Sequence, residues 1–266
     1  MNRPSDRKAR RINAFGGPLA AALLLGSGWA AADGANPFVP VNGAQFSSAL
    51  PAAAGAMVRV PSFLLQSHPV TNAEFLSFVT AHQAWRRGAA PRVLADEDYL
   101  SHWSGPLDPG PGAGLEPVTR VSWFAAEAYC ESLQARLPSW TEWELAAAAS
   151  PERRDARADA AWRQHLLDWY AQPSDGRLAQ VARGSANVYG LFDLYGLVWE
   201  WVEDFNSLLP ADADPEKFCG SGAQNLQQKD NYALLMRIAM LGSLRGADTG
   251  HTLGFRCARD AREALP

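Results

Sequence analysis

The sequence predicts an α+β fold with an unusual share of irregular backbone, and three observations carry that expectation. Residues 70–170 hold amphipathic stripes with helix-start signals, which read as a run of helices. The last third is cut by Gly184, Gly190, Gly196, Gly220, Gly222, Gly242, Gly246, Gly250 and Gly254 into short aromatic and aliphatic runs, which read as short strands and tight turns. Ten tryptophans supply large flat side chains able to span irregular backbone in a core.

In chain order, the first element is an export signal. Arg3, Arg7, Lys8, Arg10 and Arg11 precede the apolar stretch Leu19 to Leu25, and Ala30 and Ala32 give the small-residue cleavage pattern ahead of Asp33. The apolar stretch is shorter than the roughly 20 residues a membrane-spanning helix needs. Residues 1–32 are therefore expected to be removed, and Arg10-Arg11 leaves open a twin-arginine route beside the general secretory one. Residues 33–56, rich in Ala, Gly, Pro and Asn, read as a loop segment. A domain over 57–260 and a tail at 261–266 complete the expected layout.

Within that domain Met57–Val60 reads as a strand. Thr71 and Glu74 have capping-box spacing, and Phe75, Phe78 and Val79 form the stripe of a helix reaching about His82. Four prolines and four glycines between Gly105 and Pro117 exclude a helix or a central strand there. A second helix opens at Ser122 with Ala126, Tyr129, Cys130 and Leu133 facing inward. A third opens with the Ser139–Glu142 box, and Trp162, Leu166, Trp169 and Tyr170 mark a fourth.

Charge and cysteine count narrow the function. Removing the signal from a chain of 24 basic and 28 acidic residues leaves 19 against 27, a net charge of −8. Such a protein repels phosphate backbones, so no nucleic-acid partner is expected. No later apolar run is long enough to span a membrane, so no transmembrane segment is expected after cleavage. Cys130, Cys219 and Cys257 are an odd set for an oxidising compartment, where two should pair and one remain; spacing alone leaves all three pairings open.

Four segments in order resemble the formylglycine-generating enzyme, or sulfatase-modifying factor, family. They are Pro69-Val70-Thr71-Asn72-Ala73-Glu74-Phe75; Pro117 to Trp123, running on through Ala128-Tyr129-Cys130 to Arg136-Leu137-Pro138-Ser139-Trp140-Thr141-Glu142-Trp143-Glu144; Asn187 to Trp201; and Leu253-Gly254-Phe255-Arg256-Cys257-Ala258-Arg259. The resemblance implies a mixed fold related to the C-type lectin architecture. It also implies a disulfide between Cys130 and Cys257, which leaves Cys219 over.

Family members that oxidise a substrate cysteine to formylglycine hold copper through two cysteines, a soft-ligand pair suited to Cu(I). Laid over Cys219-Gly220-Ser221-Gly222-Ala223 and the following Asn231 to Arg237, those positions fall near Asn225 and Ala233, and neither is cysteine. The two-thiolate copper site is missing. Copper or iron thus has no recognisable ligand set, and the histidines at 68, 82, 102, 165 and 251 lack the spacing of a metal site. Met236 and Met240 read either as thioether ligands near Cys219 or as core residues one helical turn apart.

The resemblance further implies a calcium site built from Asp193, Gly196, Val198 and Glu200, two carboxylates on a glycine turn with backbone carbonyls between them. Leu197 stands where the family usually has asparagine. The alternative is a turn whose acids serve local backbone. Cys219, Ser221, Asn231 and Tyr232 are the candidate catalytic residues of the family cleft, with Arg237 and Arg256 as its basic residues; for Arg256 the other reading is that it holds core carboxylates. The function expected is an exported factor for the maturation or oxidative modification of a periplasmic protein or peptide, such as a copper nitrite reductase. The competing expectation is a lectin-like binding module without catalysis.

Overall fold

In the computed structural model the described residues are 36–50, 57–170, 176, 178–209 and 232–261. Helix α1, Asn72–Ala81, starts where both halves of the Thr71/Glu74 capping box form and stops at His82, whose ring stacks on Phe78. Helix α2, Trp123–Ser132, is capped by the Ser122 hydroxyl accepting from Ala125 N–H. Helix α3, Trp140–Ala147, again opens with a complete capping box, Ser139/Glu142. Helix α4, Ala160–Tyr170, follows Asp159, whose carboxylate accepts from Ala161 and Trp162 N–H. These starts are fixed by side chains within three residues of the orphan N–H groups they satisfy, so they follow from local sequence.

The strands are short and mostly paired with distant chain. β1, Phe38–Val41, lies antiparallel to β4, Phe63–Gln66, which also pairs with β7, Ala258–Asp260, giving a sheet of order β1-β4-β7. β2, Ala44–Ser47, pairs with β3, Met57–Val60. The expected loop at 33–56 therefore contains two strands. Val41 and Phe46 explain the difference, because each is buried in the core while its neighbours face outward, and partners near residue 60 satisfy the backbone. Gly43 is needed between them, since a Cβ there would stand 2.5 Å from the Val60 carbonyl oxygen.

The last third departs from expectation too. It holds the predicted short strands β5, Trp199–Glu200, and β6, Leu253–Gly254, paired in parallel. It also contains an eleven-residue helix, α5, Tyr232–Gly242. Leu234, Arg237, Ile238 and Leu241 lie at helical spacing and are all buried, which outweighs the glycine density that suggested turns. The segment 105–117 holds no α-helix or multi-residue strand, only the 3-10 turn Ala113–Leu115 and isolated bridges at Gly105–Asp108 and Pro117, in keeping with its prolines and glycines.

Phe75, Trp103, Tyr129 and Phe255 form one aromatic cluster, with Phe75 meeting each of the other three rings at centroid separations of 5.8–6.4 Å. Trp140 and Trp143 stack at 5.6 Å on the next face. The disulfide expected from the resemblance is formed: Cys130 of α2 and Cys257 are bonded, their Cα atoms 5.5 Å apart. It joins the helical middle to the central strand layer through a fully buried link.

A buried carboxylate ties the residues just after β2 to α3. Glu144 accepts from the Ser48 hydroxyl at 2.5 Å, Ala49 N–H at 2.7 Å and the Trp140 indole N–H at 2.9 Å. Burial nonetheless raises its carboxyl above the ordinary 4.5, outweighing the lowering by these donors and by Arg157. A carboxyl raised on folding contributes stability that is fully present below its unfolded value and is lost as pH rises through its folded value. The stability of the wild type relative to a Glu144→Gln variant should therefore decline as pH rises from about 4.5. Denaturant unfolding at stepped pH measures this, and a flat difference would contradict it.

Candidate functional site

The segment 187–201 is shaped by side chains that fold back on it. The Asn187 carbonyl oxygen accepts from Tyr189 and Leu191 N–H, while its amide donates to the Ala146 carbonyl. Asp193 follows in the left-handed region at φ 58°, and Gly196 at φ 108°. The chain then enters β5, where Trp199 N–H reaches the Thr252 carbonyl and Trp201 N–H the Gly254 carbonyl. Gly254 is required at this crossing, because a Cβ would lie 2.7 Å from the Val118 carbonyl oxygen.

Asp193, Gly196, Val198 and Glu200 share the 193–200 segment, and the Glu200 carboxylate is already committed there. Glu200 is fully buried; one oxygen accepts from Arg256 Nε at 2.8 Å and the Trp143 indole N–H at 2.9 Å, the other from Arg256 Nη2 at 2.9 Å. Arg256 spends its remaining N–H groups on the carbonyls of Gln66, Ser67 and Phe192. Its five donors thus meet five acceptors. The carbonyls of Leu194 and Val198 face Nη2 of Arg237 at 3.4 Å. Asp193 accepts from Ala182 N–H at 2.6 Å, and burial raises its carboxyl, against lowering by that N–H and by Arg256.

Calcium takes six to eight oxygens, and of those in this turn the two of Glu200 are already held by Arg256 and Trp143. Among the described residues no group of three His, Cys, Asp or Glu side chains stands ready for a metal ion. Arg237 and Arg256, expected near the cleft, are 2% and 0% exposed. Arg256 takes the other role foreseen for it, that of holding a core carboxylate. It lies between Phe255 and Cys257 in the link between β6 and β7, and all three are buried.

Cys219, Ser221 and Asn231 lie outside the described residues, as does Asn225, and Tyr232 opens α5 with its side chain outside them. The chain on both sides of that stretch is fixed: Leu209 packs against Gly242, where a Cβ would come within 2.8 Å of its Cγ. Ala233 is buried on α5, and Met240, one turn beyond Met236, packs against the core. Nearby, Trp123, Phe205, Glu203 and Arg245 line a cavity of about 380 Å³.

A larger cavity, about 590 Å³, opens beside Asp193 and is lined by Glu152, Asp159, Trp162, Asn187 and Tyr195. Sequence reasoning marked the Trp162 helix but missed Glu152 and Asp159. For Asp159 the signal was available, because an aspartate directly before an apolar helical stripe is a helix cap whose side chain sits at a helix mouth. Among the described residues no helix is long and apolar enough to cross a membrane.

Comparison with known proteins places this geometry. The chain is 32% identical over 254 residues to the formylglycine-generating enzyme of Streptomyces coelicolor, covering 77% of this chain and 80% of that protein. It is 28% identical over 210 residues to the serine/threonine-protein kinase pkn1 of Chlamydia caviae, covering 76% of this chain but only 33% of the kinase. The chain therefore spans about a third of that relative's length. Among solved structures it resembles the Treponema denticola variable protein 1, with a TM-score of 0.50 at 16% identity over 84% of this chain and 94% of the other, a likeness of fold. Residues 29–261 match the sulfatase-modifying factor enzyme 1-like domain, and the chain belongs to that family.

Proposed function

We propose that this protein is an exported relative of formylglycine-generating enzyme that serves the maturation or oxidative modification of a periplasmic protein or peptide. One observation carries the reading. Among the described residues the Cys130–Cys257 disulfide is formed, so of three cysteines only Cys219 stands outside it. Disulfides of this kind belong to oxidising compartments, which agrees with the basic, apolar and alanine order of residues 1–32. A thiol left free in such a compartment is a candidate for chemistry rather than packing. Ser221, Asn231 and Tyr232 are its proposed neighbours in the cleft. The missing thiolate pair argues against the two-cysteine copper chemistry of formylglycine formation and for a different metal use or a different substrate group.

The test compares wild type with Cys219→Ser, both produced with the native leader and recovered from the periplasmic fraction. Each is assayed for copper and iron content and for oxygen consumption with thiol-containing peptides. Wild type should take up metal and consume oxygen, and the variant should lose both. Identical behaviour of the two proteins would defeat the reading and favour a binding module that has given up catalysis. Recovery of the uncleaved chain from the cytoplasm would defeat the export component separately.

A further inference from the structure

Arg237 is the most unusual charged residue among those described. It is 2% exposed, yet Nε and Nη1 have no hydrogen-bond partner, and only Nη2 reaches acceptors, the Leu194 and Val198 carbonyls, at a long 3.4 Å. A buried guanidinium with orphan donors is costly unless something else stabilises its charge. Two indole faces do so: the guanidinium carbon lies 4.1 Å from the Trp143 ring centre and 5.1 Å from that of Trp199. The Trp143 N–H is donated to the Glu200 carboxylate, which enriches the ring that Arg237 covers.

We propose that the Arg237 guanidinium is the resident cation of the 193–200 turn, occupying from α5 the electrostatic place that a calcium ion would take. The carbonyls of Leu194 and Val198 converge on it as they would on a metal. Arg256 already neutralises the Glu200 carboxylate, and Arg237 brings a second guanidinium to the same turn. A divalent ion would add two positive charges to this buried group beside an existing cation, with Glu200 already spent on Arg256 and Trp143. The sequence supplies the device through register: Arg237 falls between Leu234, Ile238 and Leu241 on the inward face of α5, where an aliphatic residue would otherwise stand. The inference concerns the turn alone and is independent of the role of Cys219.

The test is calcium dependence of stability in the full chain. Wild type is purified without added calcium, its calcium content is measured by atomic emission, and its melting temperature is compared in EGTA, in millimolar calcium chloride and in magnesium chloride. Wild type should contain no stoichiometric calcium and melt at the same temperature in all three. The Arg237→Gln variant should melt lower than wild type in EGTA and recover part of the loss with calcium but not with magnesium. Stoichiometric calcium in wild type, or a drop in its melting temperature in EGTA, would overturn the proposal, and this arm decides even if the variant does not fold. A variant that melts as wild type does would overturn it as well.

Discussion

Replacing Cys130 and Cys257 together by alanine should lower the unfolding free energy by about 4–5 kcal/mol, the loop-entropy contribution of a cross-link between residues separated by 127 positions. For a domain of this size that corresponds to a fall in melting temperature of roughly 10–20 °C. Both cysteines are fully buried, so removing the sulfurs also leaves a small cavity whose cost adds to the larger effect of losing the cross-link. The loss should still arise mainly in the unfolded chain, which gains freedom. Guanidinium unfolding of the double variant against wild type measures it. A difference below about 1 kcal/mol would mean that the unfolded chain keeps the two segments together without the bond.

Breaking the buried pair should cost nearly as much by another route. Glu200→Leu leaves the Arg256 guanidinium and the Trp143 indole N–H without their carboxylate at a fully buried position, an expected loss of about 3–5 kcal/mol. Arg256→Met strands the carboxylate and the three carbonyls that Arg256 serves. The two changes share partners, so the double variant should lose at least about 1 kcal/mol less than the sum of the single losses. A double-mutant cycle by denaturant unfolding reads this coupling. Strict additivity would show that the carboxylate and guanidinium are stabilised by separate surroundings.

What could be read from sequence was what is decided locally. Thr71 with Glu74 and Ser139 with Glu142 mark helix starts because cap and third residue touch within one turn. The disulfide and the order of the four family segments were legible by resemblance. Strands β1 and β2 were not, because four-residue strands containing Pro40 or Ala44 have little intrinsic preference and are held by partners 10–28 residues away. Helix α5 was hidden by glycines that bound it rather than interrupt it.

The candidate site shows the same limit. Asp193 and Glu200 stood out as acids on a glycine turn, which the structure retains. Their fate depended on Arg256, 56 residues from Glu200, and on Arg237, whose inward placement is set by the packing of α5. A carboxylate on a turn can serve a metal, a backbone or a guanidinium, and only the three-dimensional neighbour decides among them.

The bond between Cys130 and Cys257 also changes what a cut in the chain means. Asp193, Gly196, Val198, Glu200, Cys219, Ser221, Asn231, Tyr232, Arg237 and Arg256 all fall between those two cysteines in sequence, so every one of them sits inside a single covalent ring. One proteolytic nick anywhere in that interval opens the ring without releasing a piece. A nicked molecule would migrate as one species on a gel until a reductant divides it into two fragments, so the native molecule carries these residues on a tether that survives damage to either arm.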